Sequence, residues 1–241
     1  MLGLTNTLGI GEYKAFQPGD VSNLALWLKN YVDVAVARWG DQSGNENHVA
    51  QATSGDQPAV VDGGLDFEQS EDDHMTLTTR IDLNADTGFT LGLVMKPESY
   101  DSTQNCWLSD SNSEFFEFQT NGKIRLKTIG TGAATSVLTY TGTPFAAGSK
   151  FSLVLTRAAL ATSEDGGGVL ATYKDNATLT PSSTSNPANS GSGQIDTLGR
   201  RDQGNDRAFD GIIYEVVVYQ KELEGSELTN LNEYLAAIAK L

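Results

Sequence analysis

The side chains able to do chemistry are mostly carboxylates: 31 Asp and Glu stand against 16 Lys and Arg and two His. Cleaving a glycosidic bond takes two carboxyl groups facing one groove, one as proton donor and one as base or nucleophile. The densest acidic run is Glu71-Asp72-Asp73, with Glu68 close by. Glu114 and Glu117 lie in the strand-like run Ser113–Phe118, where their odd spacing puts them on opposite faces. Glu215 stands alone in an apolar run. None of these makes a suitably spaced pair, so no enzyme is expected. His48 and His74 each adjoin a turn, and no Gly-x-Ser-x-Gly elbow occurs, so both read as hydrogen-bonders that stabilise turns. Two separated His and one Cys make a poor zinc set. Cys106, followed by Trp107-Leu108, reads as a buried small hydrophobe with no intrachain disulfide partner. The run 130–135, Gly-Thr-Gly-Ala-Ala-Thr, has phosphate-loop composition, but strands flank it and no helix follows, which makes it a hairpin turn.

Two binding chemistries remain. Calcium takes clustered oxygen ligands, and Glu71, Asp72 and Asp73 are the candidate set; no complete coordination shell is readable, so no cofactor is required. Sugar binding usually needs an aromatic platform on a loop. Tyr100 and Trp107 flank a polar segment and Tyr140 precedes Thr141-Gly142, so these three are the candidate stacking residues, with Trp107 better suited to filling the core. A third constellation, Trp39, Asp41 and Ser43-Gly44-Asn45, is turn chemistry. Gly44 is free to take positive φ, Asp41 can accept backbone N–H groups, and Trp39 can anchor the turn.

These residues must be positioned by strands. Leu24–Leu28, Val34–Trp39, Phe89–Met95, Lys123–Lys127, Phe151–Thr156, Gly168–Lys174 and Ile212–Tyr219 are short apolar or alternating runs separated by turn clusters. Ile212–Tyr219 is nearly all apolar and reads as a central strand buried on both faces. Only the last segment has helical spacing: Ser226 is the expected cap, and Leu228, Leu231, Leu235 and Ile238 share a face turned to the protein's own core. Residues 1–20 read as an arm outside the main fold, with Leu2, Leu4 and Leu8 as docking contacts, and 21–241 as one all-β two-sheet antiparallel sandwich. The polar stretch Thr180–Gly193 reads as a surface loop. The net charge of −15 is concentrated in residues 1–120, with 19 acidic and 5 basic side chains, which argues against nucleic acid and anionic membranes as partners. Met1–Leu8 lacks the basic-then-apolar pattern of a secretion leader, so assembly in a cytoplasm is expected.

Three segments together resemble the concanavalin A-like (laminin G-like) jelly-roll superfamily. They are Leu24–Leu28 followed by Trp39-Gly-Asp-Gln-Ser-Gly-Asn-Glu-Asn-His48; Leu65-Asp-Phe67 leading to Asp72–Leu77; and Phe209-Asp-Gly211 running into Ile212–Tyr219. The resemblance implies a jelly roll with a closing helix, and Gly211 lets its last strand pack closely on a neighbour. Hydrolases of that fold carry an E-x-D-x-x-E strand, whose third acid is missing here because position 76 is Thr. The form resembled is that of bacteriophage virion proteins. It implies a non-catalytic decoration protein on capsid or tail subunits, a homo-oligomer such as a trimer, and contact with host glycans; the alternative is a calcium-assisted carbohydrate-binding module.

Overall fold

The computed structural model describes residues 15–100, 105–110, 114–129, 134–160, 168–186, 191–201 and 207–241. The expected docking contacts Leu2, Leu4 and Leu8, and the 130–133 part of the expected hairpin turn, lie outside them. In chain order the strands are β1 (Leu24–Leu28), β2 (Val34–Ala35), β3 (Arg38–Trp39), β4 (Val49–Ala50), β5 (Ala59–Val61) and β6 (Gly64–Phe67). Next come β7 (Met75–Leu83), β8 (Phe89–Pro97), β9 (Asn105–Asp110), β10 (Glu114–Thr120), β11 (Lys123–Lys127) and β12 (Thr135–Thr139). The chain continues through β13 (Phe151–Arg157), β14 (Leu170–Lys174), β15 (Ala177–Thr178), β16 (Ser183–Ser185), β17 (Gly193–Leu198) and β18 (Gly211–Tyr219), and ends in α1 (Gly225–Ala239).

The strands form two sheets. One has eight strands in the order β15-β14-β13-β8-β18-β6-β5, with β1 also pairing β18; the other has ten in the order β16-β12-β11-β10-β9-β17-β7-β4-β3-β2. The architecture is a two-sheet antiparallel jelly-roll sandwich with one C-terminal helix. Between the sheets lies the main core, built from alternate residues of each strand: Leu91, Leu93 and Met95 of β8, Ile213, Val216 and Val218 of β18, and Ile124 and Leu126 of β11. The second face of β18 contributes Ile212, Tyr214, Val217 and Tyr219 to another cluster, under Leu231 and Leu235 of α1. This double burial is why β18 reads as a nearly continuous apolar run, broken only by Glu215, rather than an alternation.

Local differences from the sequence expectation have local causes. Val34–Trp39 is not one strand but the hairpin β2–β3, with Val34 paired to Trp39 and Val36 exposed at the turn. The polar stretch 180–193 is not wholly loop: Ser183–Ser185 adds an edge strand to β12, where backbone pairing suffices without apolar side chains. Helix α1 begins at Gly225 with Glu224 as its cap residue, so Ser226 lies inside the first turn. Residues 16–20 are not part of a free arm. Pro18 is buried, its carbonyl accepts the Tyr219 hydroxyl at 2.9 Å, and the Phe16 ring meets Tyr234 edge-on with centroids 6.1 Å apart.

Candidate functional site

The turn 39–48 is held by Asp41. Its Oδ1 accepts the Trp27 and Ser43 backbone N–H groups, both at 2.9 Å, and its Oδ2 accepts the Ser43 hydroxyl at 2.7 Å and the Asn47 N–H at 3.0 Å. Its own N–H donates to His48 Nδ1 at 3.0 Å. Trp39 is fully buried and its indole donates to the Lys29 carbonyl at 3.1 Å, while Gly44 takes a φ of +89°. A carboxylate with several short donors fixes a loop that would otherwise sample many conformations.

That rigid turn carries two amides to the edge of β1. Asn45 Nδ2 donates to the Leu24 carbonyl at 2.7 Å and Asn47 Nδ2 to the Ala25 carbonyl at 3.0 Å. Beside them opens a groove of about 510 Å³ lined by Asn23, Asn45, Asn47, Thr79, Arg80 and Gln220, with Leu24, Ala25 and Ile81 completing it. Its far wall comes from an irregularity in β7, whose pairing with β17 jumps from Ile195↔Ile81 to Thr197↔Thr76. The strand therefore bulges across residues 77–80, and Thr78 pins the bulge by donating both its N–H (2.8 Å) and its hydroxyl (3.0 Å) to the His48 carbonyl. Bulges of this kind re-aim side chains beside binding sites. The room available is that of a small-ligand site, but the lining is hydrogen-bonding rather than apolar.

The three aromatics singled out as sugar platforms belong instead to the core. Trp107 is fully buried against Phe116 and Phe118; Tyr140 is 5% exposed, with its hydroxyl 2.8 Å from Thr172 Oγ1; and Tyr100 packs edge-on against Phe118 and donates to the Phe145 carbonyl at 2.5 Å. Large rings bury most of their area wherever the sandwich lets them, and burial pushes the Tyr140 phenol up to about 12. Gly211, at φ +135°, sits where an added Cβ would come within 2.8 Å of Glu98 N, so close pairing with β8 depends on its lacking a side chain.

The candidate calcium ligands are likewise separated. Asp72, in a left-handed cap, is ion-paired with Arg200 at 2.5 Å; Asp73 is buried and its Oδ2 accepts the Glu68 N–H at 2.9 Å; Glu71 is exposed. Asp72 and Asp73 are already committed to protein partners. A different trio, Asp66, Glu68 and Glu98, brings three carboxylate oxygens within 4.8 Å of one another. Burial first, and neighbouring acids second, raise the Asp66 and Glu68 carboxyls above their ordinary values, and the buried Asp66 Oδ1 has no hydrogen-bond partner among the described residues. Hard oxygen ligands of this kind fit calcium.

Two further buried carboxylates, Glu117 and Glu215, are held by protein partners. Glu117 is fully buried and ion-paired with Arg125 and Arg201, both of which also lie over the Phe115 ring. Glu215 accepts from Trp27 Nε1 at 2.6 Å, the Asn30 N–H at 2.7 Å and the Tyr234 hydroxyl at 2.7 Å. One pair escaped sequence reasoning. Asp110 on β9 faces Asp196 on the neighbouring β17, and burial first, then Asp196 and nearby Glu114, push the Asp110 carboxyl up to about 7. The two lie 86 positions apart on adjacent strands, so no local spacing announces them. The groove was equally hidden; its one sequence signal is that Asn45 and Asn47 supply more amides than the turn alone needs.

Among curated proteins no sequence relative matches the chain. Solved structures similar in fold include the binding domain of Paraclostridial Mosquitocidal Protein 1 (TM-score 0.62, 13% identity, 90% of this chain covered), of which this chain spans about half, 52%. Domain 4 of AbnA, an extracellular arabinanase from Geobacillus stearothermophilus solved with arabinotriose, matches over 87% of this chain and 98% of its own length (TM-score 0.58, 15% identity). Trypanosoma rangeli sialidase matches over 88% of this chain and 33% of its own (TM-score 0.55, 14% identity). At such identities these likenesses concern the fold. A family model for the concanavalin A-like lectin/glucanases superfamily matches residues 69–229, two thirds of the chain, and the protein belongs to that superfamily.

Proposed function

We propose that this chain is a non-catalytic carbohydrate-recognition module whose ligand seats in the groove between the 43–47 turn, β1 and the β7 bulge. The observation that carries this reading is the groove's lining: amide, hydroxyl and guanidinium groups held on rigid elements, the donors and acceptors a polyol needs. The arabinotriose complex of AbnA domain 4 and the binding domain of the mosquitocidal protein support recognition as the use of this sandwich. Against catalysis stand the commitments of Glu117 to two arginines and of Glu215 to three donors. Calcium enters through Asp66, Glu68 and Glu98, which would hold the cation at the rim and neutralise their mutual repulsion. A glycan array tests the reading: binding that Asn47→Ala weakens supports it, and release of reducing sugar by the purified protein contradicts it.

The setting we propose is a bacteriophage particle, assembled in the host cytoplasm, with the chain as an oligomeric decoration on capsid or tail subunits. Leu2, Leu4 and Leu8 would dock it, and the groove would face host glycans. The acidic, disulfide-free composition supports this setting by keeping such a protein soluble before assembly. Mass spectrometry of purified particles checks it, and absence of the chain from them would remove it.

A further inference from the structure

Tyr31 is a large aromatic that stays 68% exposed, and its backbone is left-handed, at φ +59°. That region suits glycine or asparagine and is costly for a bulky side chain. Neither the backbone nor the core therefore calls for a tyrosine here. The residue is nonetheless held in place. Its N–H donates to the Gly63 carbonyl at 3.0 Å, and the Asn30 N–H beside it donates to the buried Glu215 Oε2 at 2.7 Å. The Lys29 carbonyl accepts both the Val32 N–H and the Trp39 indole, each at 3.1 Å. Asp62 and Gly63 form the two-residue corner between β5 and β6, with φ of +48° and +78°. A Cβ on Gly63 would stand 2.5 Å from Tyr31 Cγ and Cδ1 and 2.7 Å from Cδ2. Near-equal distances to three ring atoms put Gly63 under the face of the ring, so the opposite face is the one turned to solvent.

We infer that Tyr31 is a stacking platform for a pyranose ring, a second saccharide contact beyond the opposite end of β1 from the groove. This rests on the carbohydrate-recognition reading and adds a subsite to it. A pyranose gathers C–H groups on one face; that face packs on an aromatic ring while the hydroxyls at its rim seek polar partners. Asn30 and Asp62 adjoin the platform and supply them. Asn30 Nδ2 lies 3.4 Å from the Asp62 carbonyl, which leaves its second N–H and its Oδ1 for a ligand, and the Asp62 carboxylate accepts from hydroxyls. Where Tyr100, Trp107 and Tyr140 turn inward, Tyr31 turns outward on a backbone already fixed. A rigid ring with one face seated on glycine loses little freedom when a sugar covers the other.

The test is a glycan array followed by calorimetric titration of the whole chain with the best-bound oligosaccharide. Tyr31→Asn separates recognition from folding, because asparagine suits the left-handed backbone. Its melting temperature should equal or exceed that of the wild type while affinity falls roughly tenfold. Tyr31→Phe keeps the ring and should bind within about twofold of the wild type. An equal loss in the Phe variant assigns the effect to the hydroxyl and overturns stacking. Binding that Tyr31→Asn retains in full overturns the platform, and its loss in Asn47→Ala then leaves the groove standing. Binding lost in Tyr31→Asn alone supports the platform and removes the groove. Binding to no glycan on the array overturns both.

Discussion

Trp27 and Glu215 are joined by a 2.6 Å hydrogen bond from indole Nε1 to carboxylate Oε1, across 188 residues of sequence, beneath the C-terminal helix. The same carboxylate accepts from the Asn30 backbone and from Tyr234 on the helix, so one buried acid ties β1, the β1–β2 turn, β18 and α1 together. Burial raises its proton affinity and these three donors lower it, which is the balance expected of a satisfied buried carboxylate. Removing the acceptor strands three donors. Glu215→Ala is expected to lower the unfolding free energy by on the order of 3 kcal/mol, measured by urea denaturation. A loss within experimental error would show that the triad adds nothing to the fold.

Asp41 makes a comparable prediction for the site. Asp41→Ala deletes the acceptor of three backbone N–H groups and one hydroxyl in the turn that presents Asn45 and Asn47. It should cost roughly 2–3 kcal/mol in denaturant melts and abolish ligand binding together with that stability. Full binding by this variant would contradict the role given to the turn.

The Asp110–Asp196 pair predicts a pH dependence. A carboxyl raised from 3.8 to about 7 in the folded chain holds its proton more tightly there than when unfolded. Its contribution to stability is therefore greatest at low pH and is lost as pH rises from about 4 through about 7. The melting temperature of the wild-type chain should fall relative to Asp110→Asn between pH 5 and pH 8, the variant being the more stable at pH 8. Parallel curves for the two proteins would rule out a shared proton.

Calcium should bind at Asp66, Glu68 and Glu98. Differential scanning fluorimetry is expected to show a rise in melting temperature with millimolar calcium that Glu98→Gln abolishes. An equal rise in the Glu98 variant would place any calcium elsewhere.

Much of the scaffold was legible because it depends on side-chain periodicity. Lys123–Lys127 alternates cations with Ile124 and Leu126, and it is the strand β11 with those two in the core. The nearly all-apolar run of β18, interrupted only by Glu215, announced a strand buried on both faces. The site was much less legible, because it depends on partners distant in sequence. Asn47, Arg80 and Gln220 meet only after the strands pair, and the β7 bulge that re-aims Arg80 has no sequence signature of its own. The aromatics misled for a physical reason: Tyr100 and Tyr140 flank turns, yet each ring turns inward and its hydroxyl finds a buried acceptor. The acids of 71–73 misled similarly, because Asp72 and Asp73 are taken by Arg200 and by a backbone N–H.

Nuclear magnetic resonance during titration with a neutral oligosaccharide tests the central claim most directly, through the side-chain amide signals of Asn45, Asn47 and Gln220. The account predicts saturable shifts of these signals and of the Arg80 guanidinium. Shifts confined to other parts of the sandwich, with the groove amides unmoved at saturation, would contradict it.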